Sequence, residues 1–139
     1  MAQRGWPHRQ FDVAIDVASR THKRLCSIGF KSKPENASLS KADINAMMAK
    51  PEWQNLQKSL FESTSTISDP VTFGPQGYTG IEMTITPRLG PAAESIRMIV
   101  SIMETPKGHT ALICITDKDD IAAALPQFRA VRAAIRAPE

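Results

Sequence analysis

The sequence predicts an α+β fold: an antiparallel six-stranded sheet flanked by helices on both faces, an α/β/α sandwich in the order β-β-α-β-β-β-β-α. Three observations predict it. Segments that alternate apolar and polar residues follow one another through short turns, as hairpin-connected strands do. Two stretches with a helical period stand apart from them, one after the second strand and one at the end of the chain. The segments 95–104 and 109–116 are apolar on both faces at their centres, which places them mid-sheet under cover from both sides.

Phe11, Val13, Ile15 and Val17 alternate with Asp12, Ala14 and Asp16, the pattern of a strand with one face on a core. Beyond the polar turn Ser19 to Arg24, Leu25 to Phe30 reads as a second strand with Cys26, Ile28 and Phe30 on one side, and the two suit a hairpin. Lys33, Pro34, Glu35 and Asn36 end it. Ser40 with Asp43 three residues on marks a helix start, the serine accepting the backbone N–H at the third helical position. That helix runs to about Lys50 with Ile44, Met47 and Met48 on its buried stripe. Pro51 opens a second helical stretch, since a first turn has no use for its missing N–H, and Trp53, Leu56 and Leu60 form the apolar stripe as far as Ser63.

Thr64 to Phe73 is a strand bent at Pro70, which cannot donate to a ladder. Tyr78 to Thr86 places Ile81, Met83 and Ile85 opposite Glu82, Thr84 and Thr86. Ile96, Met98, Val100 and Ile102 line one face of the next strand, and the turn Pro106, Lys107, Gly108 returns the chain through Leu112 to Ile115. Asp117, Asp119 and Asp120 supply the negative charge a helix N-terminus favours. Leu125, Phe128, Val131 and Ile135 form the stripe of a closing helix restarted at Pro126. The domain is expected over residues 10–137, with 1–9 a flexible tail.

With 139 residues, 42% hydrophobic and 22% charged, the composition is that of one ordinary globular domain, and it excludes disordered and collagen-like chains. No apolar run approaches the roughly 18 residues of a membrane-crossing helix. The first ten residues lack the apolar centre of a signal peptide, and their polar character suits an exported, periplasmic domain whose leader is not part of this sequence, with the cytoplasm as the other reading. Net charge is +3, but residues 1–41 carry a surplus of +5, residues 42–125 a balance of −4 and the last fourteen +2. A nucleic-acid binder would show a denser basic stripe interleaved with aromatics, and only 6% of this chain is aromatic.

From Ser95 to Ile135 a long strand, the turn at Lys107 and Gly108, the strand Thr110 to Thr116, an acidic linker and a helix with Phe128, Val131 and Ile135 ahead of Arg136 follow in order. This arrangement resembles the ending of the PsbP-like family, whose α/β/α sandwich also occurs in the Ran-binding Mog proteins and in exported bacterial proteins of the DcrB and LpqN type. The resemblance is one of topology and composition, and it transfers no residue. It implies a non-catalytic binding or assembly protein with a protein partner, and no enzyme. A small-molecule-binding protein or enzyme, with a pocket between helix and sheet lined by Trp53, Tyr78 and methionines, is the alternative.

The residues offer few sites for chemistry. His8, His22 and His109 form no metal-ligand spacing, and His109 reads as a surface histidine within reach of a carboxylate. Cys26 and Cys114 lie on strands among apolar neighbours, which favours two buried, unreactive thiols. If the protein is exported and the strands adjoin, they form a disulfide that contributes about 4 kcal/mol. Gly74, Gly77 and Gly80 imitate a phosphate loop, but a strand follows where a helix would be required, so they are loop and strand-entry glycines, with Gly80 marking a bulge or a close approach by another chain. The three aspartates lack the spacing of a calcium loop. Arg129, Arg132 and Arg136 form a row on one flank of the last helix and, with the loop residues Gly77 and Tyr78, are the candidate binding residues. No cofactor or metal is expected.

Overall fold

The structure, a computed structural model, describes residues 13–17, 22–74 and 76–139. His8 and the proposed tail lie outside them. In chain order the elements are β1 (Val13–Asp16), β2 (Arg24–Ser32), a 3-10 turn (Pro34–Asn36), α1 (Lys41–Ala49), α2 (Pro51–Ser59), β3 (Ser65–Ile67), β4 (Val71–Phe73), β5 (Gly80–Pro87), α3 (Ala92–Ser95), β6 (Ile96–Thr105), β7 (Gly108–Asp117) and α4 (Ile121–Ala134). All pairings are antiparallel, in the order β1-β2-β7-β6-β5, and the last edge position is shared by β3 and β4. The expected strand 64–73 is thus one edge in two pieces: β3 pairs with the end of β5 and β4 with its start, and Pro70 lies in the break. The short helix α3 was not legible in the sequence.

Alternation along the central strands fills two layers. Ile81, Met83 and Ile85 of β5 and Val100 and Ile102 of β6 pack with Ile44 and Met48 of α1 and with Tyr78. Ile99, Leu112 and Cys114 take the opposite face, with Cys26, Ala124 and Phe128 of α4. The two doubly apolar strands, β6 and β7, are the third and fourth of the sheet, where both faces are covered. Each of the isoleucines and methionines closed from solvent contributes about 1.5–3 kcal/mol of transfer free energy.

Ser40 and Asp43 form a complete capping box: Ser40 Oγ accepts from the Asp43 N–H at 3.0 Å, and Asp43 Oδ2 accepts from the Ser40 N–H at 3.0 Å. Hydrogen bonding from the Ser40 backbone N–H, and then from its side chain, holds the Asp43 carboxyl below its ordinary value. Ser40→Ala is expected to cost about 1 kcal/mol, read as a lower denaturant midpoint at unchanged slope.

Several expectations need correction. On α2, Leu56 and Leu60 are 60% and 66% exposed, and Gln57 is buried in their place. The helix packs through Trp53, with Phe61 beyond its end, and so uses an i, i+4, i+8 line rather than i, i+3, i+7. α2 ends at Ser59, not near Ser63. α4 runs unbroken through Pro126, which is exposed, and ends at Ala134, so Arg136 lies beyond it. Asp120 is the N-cap of α4 but makes no side-chain cap bond.

Two glycines have steric reasons. Gly108 has φ +154°, and a Cβ there would run into the backbone oxygen of Lys31 in the neighbouring β2. Gly80 faces Phe73 in the β4–β5 register, and a Cβ there would occupy the position of the Phe73 ring. The close approach at Gly80 is therefore made by an aromatic side chain of the adjacent strand.

Candidate functional site

Sheet residues that face α4 include one carboxylate that an apolar layer cannot tolerate alone. Glu82, on β5, is 6% exposed. Arg129 donates to it through Nε (3.1 Å to Oε1) and Nη2 (2.8 Å to Oε2), and Arg132 through Nη1 (2.6 Å to Oε1). Burial pushes the Glu82 carboxyl up, but the two guanidiniums outweigh it and hold it below its ordinary value; Glu82 in turn raises Arg129. Arg132 also lies over the Phe73 ring, 3.8 Å from its centroid. The arginine row is therefore not a free basic flank: two members are tied to a buried acid, and Arg136 stands apart, 77% exposed and 3.9 Å from Glu139.

Where α4 borders β4 the surface is hollow. One concavity of about 280 Å³ is lined by Phe73, Gln76, Arg132, Ile135 and Arg136 among others. A second, of about 260 Å³, is lined by Val71, Thr72, Phe73, Glu82, Arg129 and Arg132. Phe73 and Arg132 belong to both, so the two form a trough along β4 with the Phe73–Arg132 stack at its middle.

The loop before β5 closes one end. Lys41 Nζ donates to the Gln76 carbonyl at 3.2 Å and lies 4.8 Å from the Tyr78 ring centroid. Asn45 donates to the Gly77 carbonyl at 3.2 Å and accepts from the Thr79 N–H at 2.7 Å. On the other side Gln76 donates to Glu139 at 2.6 Å and accepts from the Ala137 N–H at 2.7 Å. Gly77 adopts φ +84° to make this turn. Tyr78 is 6% exposed and part of the α1 core, and burial together with Glu139 pushes its phenol up. Gly77 and Tyr78 thus shape and anchor the loop beside the trough.

Two further polar clusters lie elsewhere; of their contacts only the approach of His109 to a carboxylate was expected, and that histidine is partly buried rather than on the surface. At the β6–β7 hairpin, Glu104 is fully buried; it accepts from Asn36 Nδ2 at 2.9 Å and from Lys33 Nζ at 3.4 Å, and is bonded to His109 Nδ1. At the start of α4, Arg24 donates to both oxygens of Asp120 at 2.6 Å, and Thr116 donates to Oδ2 at 2.7 Å. These bonds, the Arg24 pair first, hold the Asp120 carboxyl well below the usual carboxylate range. This is why Asp120 does not cap: its oxygens are already used. His22 lies 2.9 Å from Asp117, and that hydrogen bond raises the imidazole. The sequence signals for these clusters were a histidine within reach of a carboxylate and a charged residue, Glu104, on a strand otherwise apolar at its centre.

Cys26 and Cys114 are directly opposed in the β2–β7 register and joined as a disulfide, with Sγ atoms 2.02 Å apart. Both are closed from solvent under α4, as expected, but the favoured reading of two free thiols is corrected: the cysteines are bonded to each other. Among the described residues no cluster of three or more His, Cys, Asp or Glu could hold a metal, and no helix is long and apolar enough to cross a membrane.

An open antiparallel sheet with helices on both faces and a helix closing the chain defines the class as an α+β sandwich resembling the PsbP-like fold. Two solved structures share it. PA94 from Pseudomonas aeruginosa, a protein of unknown function suggested to be a regulator, aligns with a TM-score of 0.61 at 10% identity over 94% of this chain and 85% of its own. The cyanobacterial PsbP, CyanoP, from Synechocystis sp. PCC 6803 aligns with a TM-score of 0.50 at 11% identity over 91% of this chain and 82% of its own. No family model matches the chain, and no curated protein is significantly similar to it. At such identities the likeness shows the fold alone.

Proposed function

We propose that this chain is a non-catalytic binding module of PsbP-like fold, related to the Mog, DcrB and LpqN type, that works in an oxidising, extracytoplasmic compartment. The observation that carries this reading is the Cys26–Cys114 disulfide between two inner strands of the sheet, because such bonds persist where thiols are not kept reduced. The buried acids support the non-catalytic half. Glu82, Glu104 and Asp120 are each occupied by partners from this same chain, so none is poised for proton transfer. The alternative, a small-molecule pocket between helix and sheet, has less support: Tyr78, Met48 and Met83 are packed core, and Trp53 lies against them.

The test begins with the protein recovered from its native host after free thiols are blocked in acid-quenched fractions. We expect no blocked cysteine and recovery outside the cytoplasm; two blocked cysteines in a cytoplasmic fraction would overturn the compartment. In the same cells, short-range crosslinking is expected to join the protein to one reproducible partner. A chain that crosslinks to nothing overturns the binding half.

A further inference from the structure

We propose that the trough between β4 and α4 docks an extended, acidic segment of a partner protein; this rests on the binding-module reading and gives it a place and a chemistry. Shape is the first argument. The trough runs beside all three residues of β4, whose inner edge pairs with β5 while its outer edge has no strand partner among the described residues. An unpaired edge of this kind accepts an extended chain through main-chain hydrogen bonds.

Charge is the second. Three arginines, Arg129, Arg132 and Arg136, line the trough against two acids, Glu82 and Glu139, which leaves one positive charge in excess. Arg129 Nη1 and both Nε and Nη2 of Arg132 have no hydrogen-bond partner among the described residues. Arg136, 77% exposed, is held only by its 3.9 Å approach to Glu139. Planar guanidinium donors suit the two oxygens of a carboxylate, and a lysine-rich or neutral segment would leave them unmatched.

Preorganisation is the third. Arg132 is held before any ligand arrives, by Glu82 on one side and by the Phe73 ring beneath it, and Phe73 is seated in the space that Gly80 leaves open. Fixing such a side chain in advance removes part of the ordering cost on binding. Val71, 56% exposed on the rim, offers an apolar contact for residues that alternate with the acids.

The probe is a fluorescent octapeptide of alternating glutamate and valine, with the glutamine-for-glutamate peptide as control, followed by anisotropy at about 50 mM salt, where screening is weak. The glutamate peptide is expected to bind and the glutamine peptide not to, with amide shifts centred on Val71, Thr72 and Phe73. Arg136→Glu, which touches no buried group, is expected to weaken binding at least about tenfold, and Arg136→Lys to restore part of it. Equal binding of both peptides, indifference to Arg136→Glu, or shifts elsewhere would overturn the proposal. So would binding to phosphatidylglycerol vesicles, lost in Arg136→Glu, by a protein that ignores the peptide. If the peptide fails while the in-cell crosslink persists, only the place and chemistry fall; if both fail, the binding reading falls with them.

Discussion

Reduction of the Cys26–Cys114 disulfide is expected to lower the unfolding free energy by about 4 kcal/mol. The bond joins residues 88 apart in sequence, so breaking it frees a loop covering most of the chain in the unfolded state. The folded state changes little, because both sulfurs stay enclosed by Ile99, Leu112, Ala124 and Phe128, where free thiols pack as small apolar groups. The effect therefore enters through the entropy of the unfolded chain. For a domain of ordinary stability, about 5–15 kcal/mol, this is a large share, and the melting temperature should fall by roughly 10–15 °C. Guanidinium titrations of the oxidised protein, of protein reduced while unfolded, and of Cys26→Ala with Cys114→Ala give the measurement. The oxidised chain should have the higher midpoint and the smaller slope, since a cross-linked unfolded state exposes less surface. Identical curves with and without reductant would mean that the two sulfurs are not bonded.

Periodicity made the sheet legible because burial acts on each strand separately. The alternation in 78–86 and the doubly apolar centres of 95–104 and 109–116 follow from which faces are covered, and these became β5, β6 and β7. The capping box at Ser40 was equally local. What stayed hidden depends on pairs distant along the chain. Glu82 and Arg129 are 47 residues apart, Arg24 and Asp120 are 96, and no local pattern says that one will face the other. The arginine row was visible as spacing, but its commitment to a buried acid was not, so all three arginines read alike as candidate binding residues. The error at Leu56 and Leu60 has the same root: α2 has two candidate apolar lines, and tertiary packing selected the one carrying a glutamine. Asp120 shows the competition in one residue, since its position favours capping while its oxygens are taken by Arg24 and Thr116.

Glu104→Gln is expected to cost about 2–4 kcal/mol at pH 7 and to remove an acid-sensitive part of the protein's stability. Glu104 is 0% exposed, and every group that reaches it is a donor: Asn36 Nδ2, Lys33 Nζ and His109 Nδ1. A glutamine amide has only one acceptor oxygen, so whichever way it turns, its NH₂ group meets another donor without water to relieve it. The cost stays below that of a wholly buried ion pair because Lys33 and His109 can regain solvent. The pH dependence has a definite sign. Burial pushes the Glu104 carboxyl up, but the bonds from His109 and Asn36 and the charge of Lys33 outweigh it, so the folded value lies below that of the unfolded chain. Its stabilisation is then complete above the unfolded value, about 4.3, and is lost as pH falls through the lower folded value. The stability difference between wild type and Glu104→Gln, from denaturant titrations at a series of pH values, should shrink as pH falls below the unfolded carboxyl value. A difference that grew on acidification would mean that burial outweighs the donors. The same carboxylate holds Asn36, whose Nδ2 also donates to the Thr105 carbonyl at 3.0 Å, so the variant should loosen the 3-10 turn from the β6–β7 hairpin first. Faster amide exchange at Asn36 and Lys33 than in the strands would report that local opening, since the backbone there is tied to the hairpin through the Lys33 N–H and the Lys107 carbonyl at 3.2 Å.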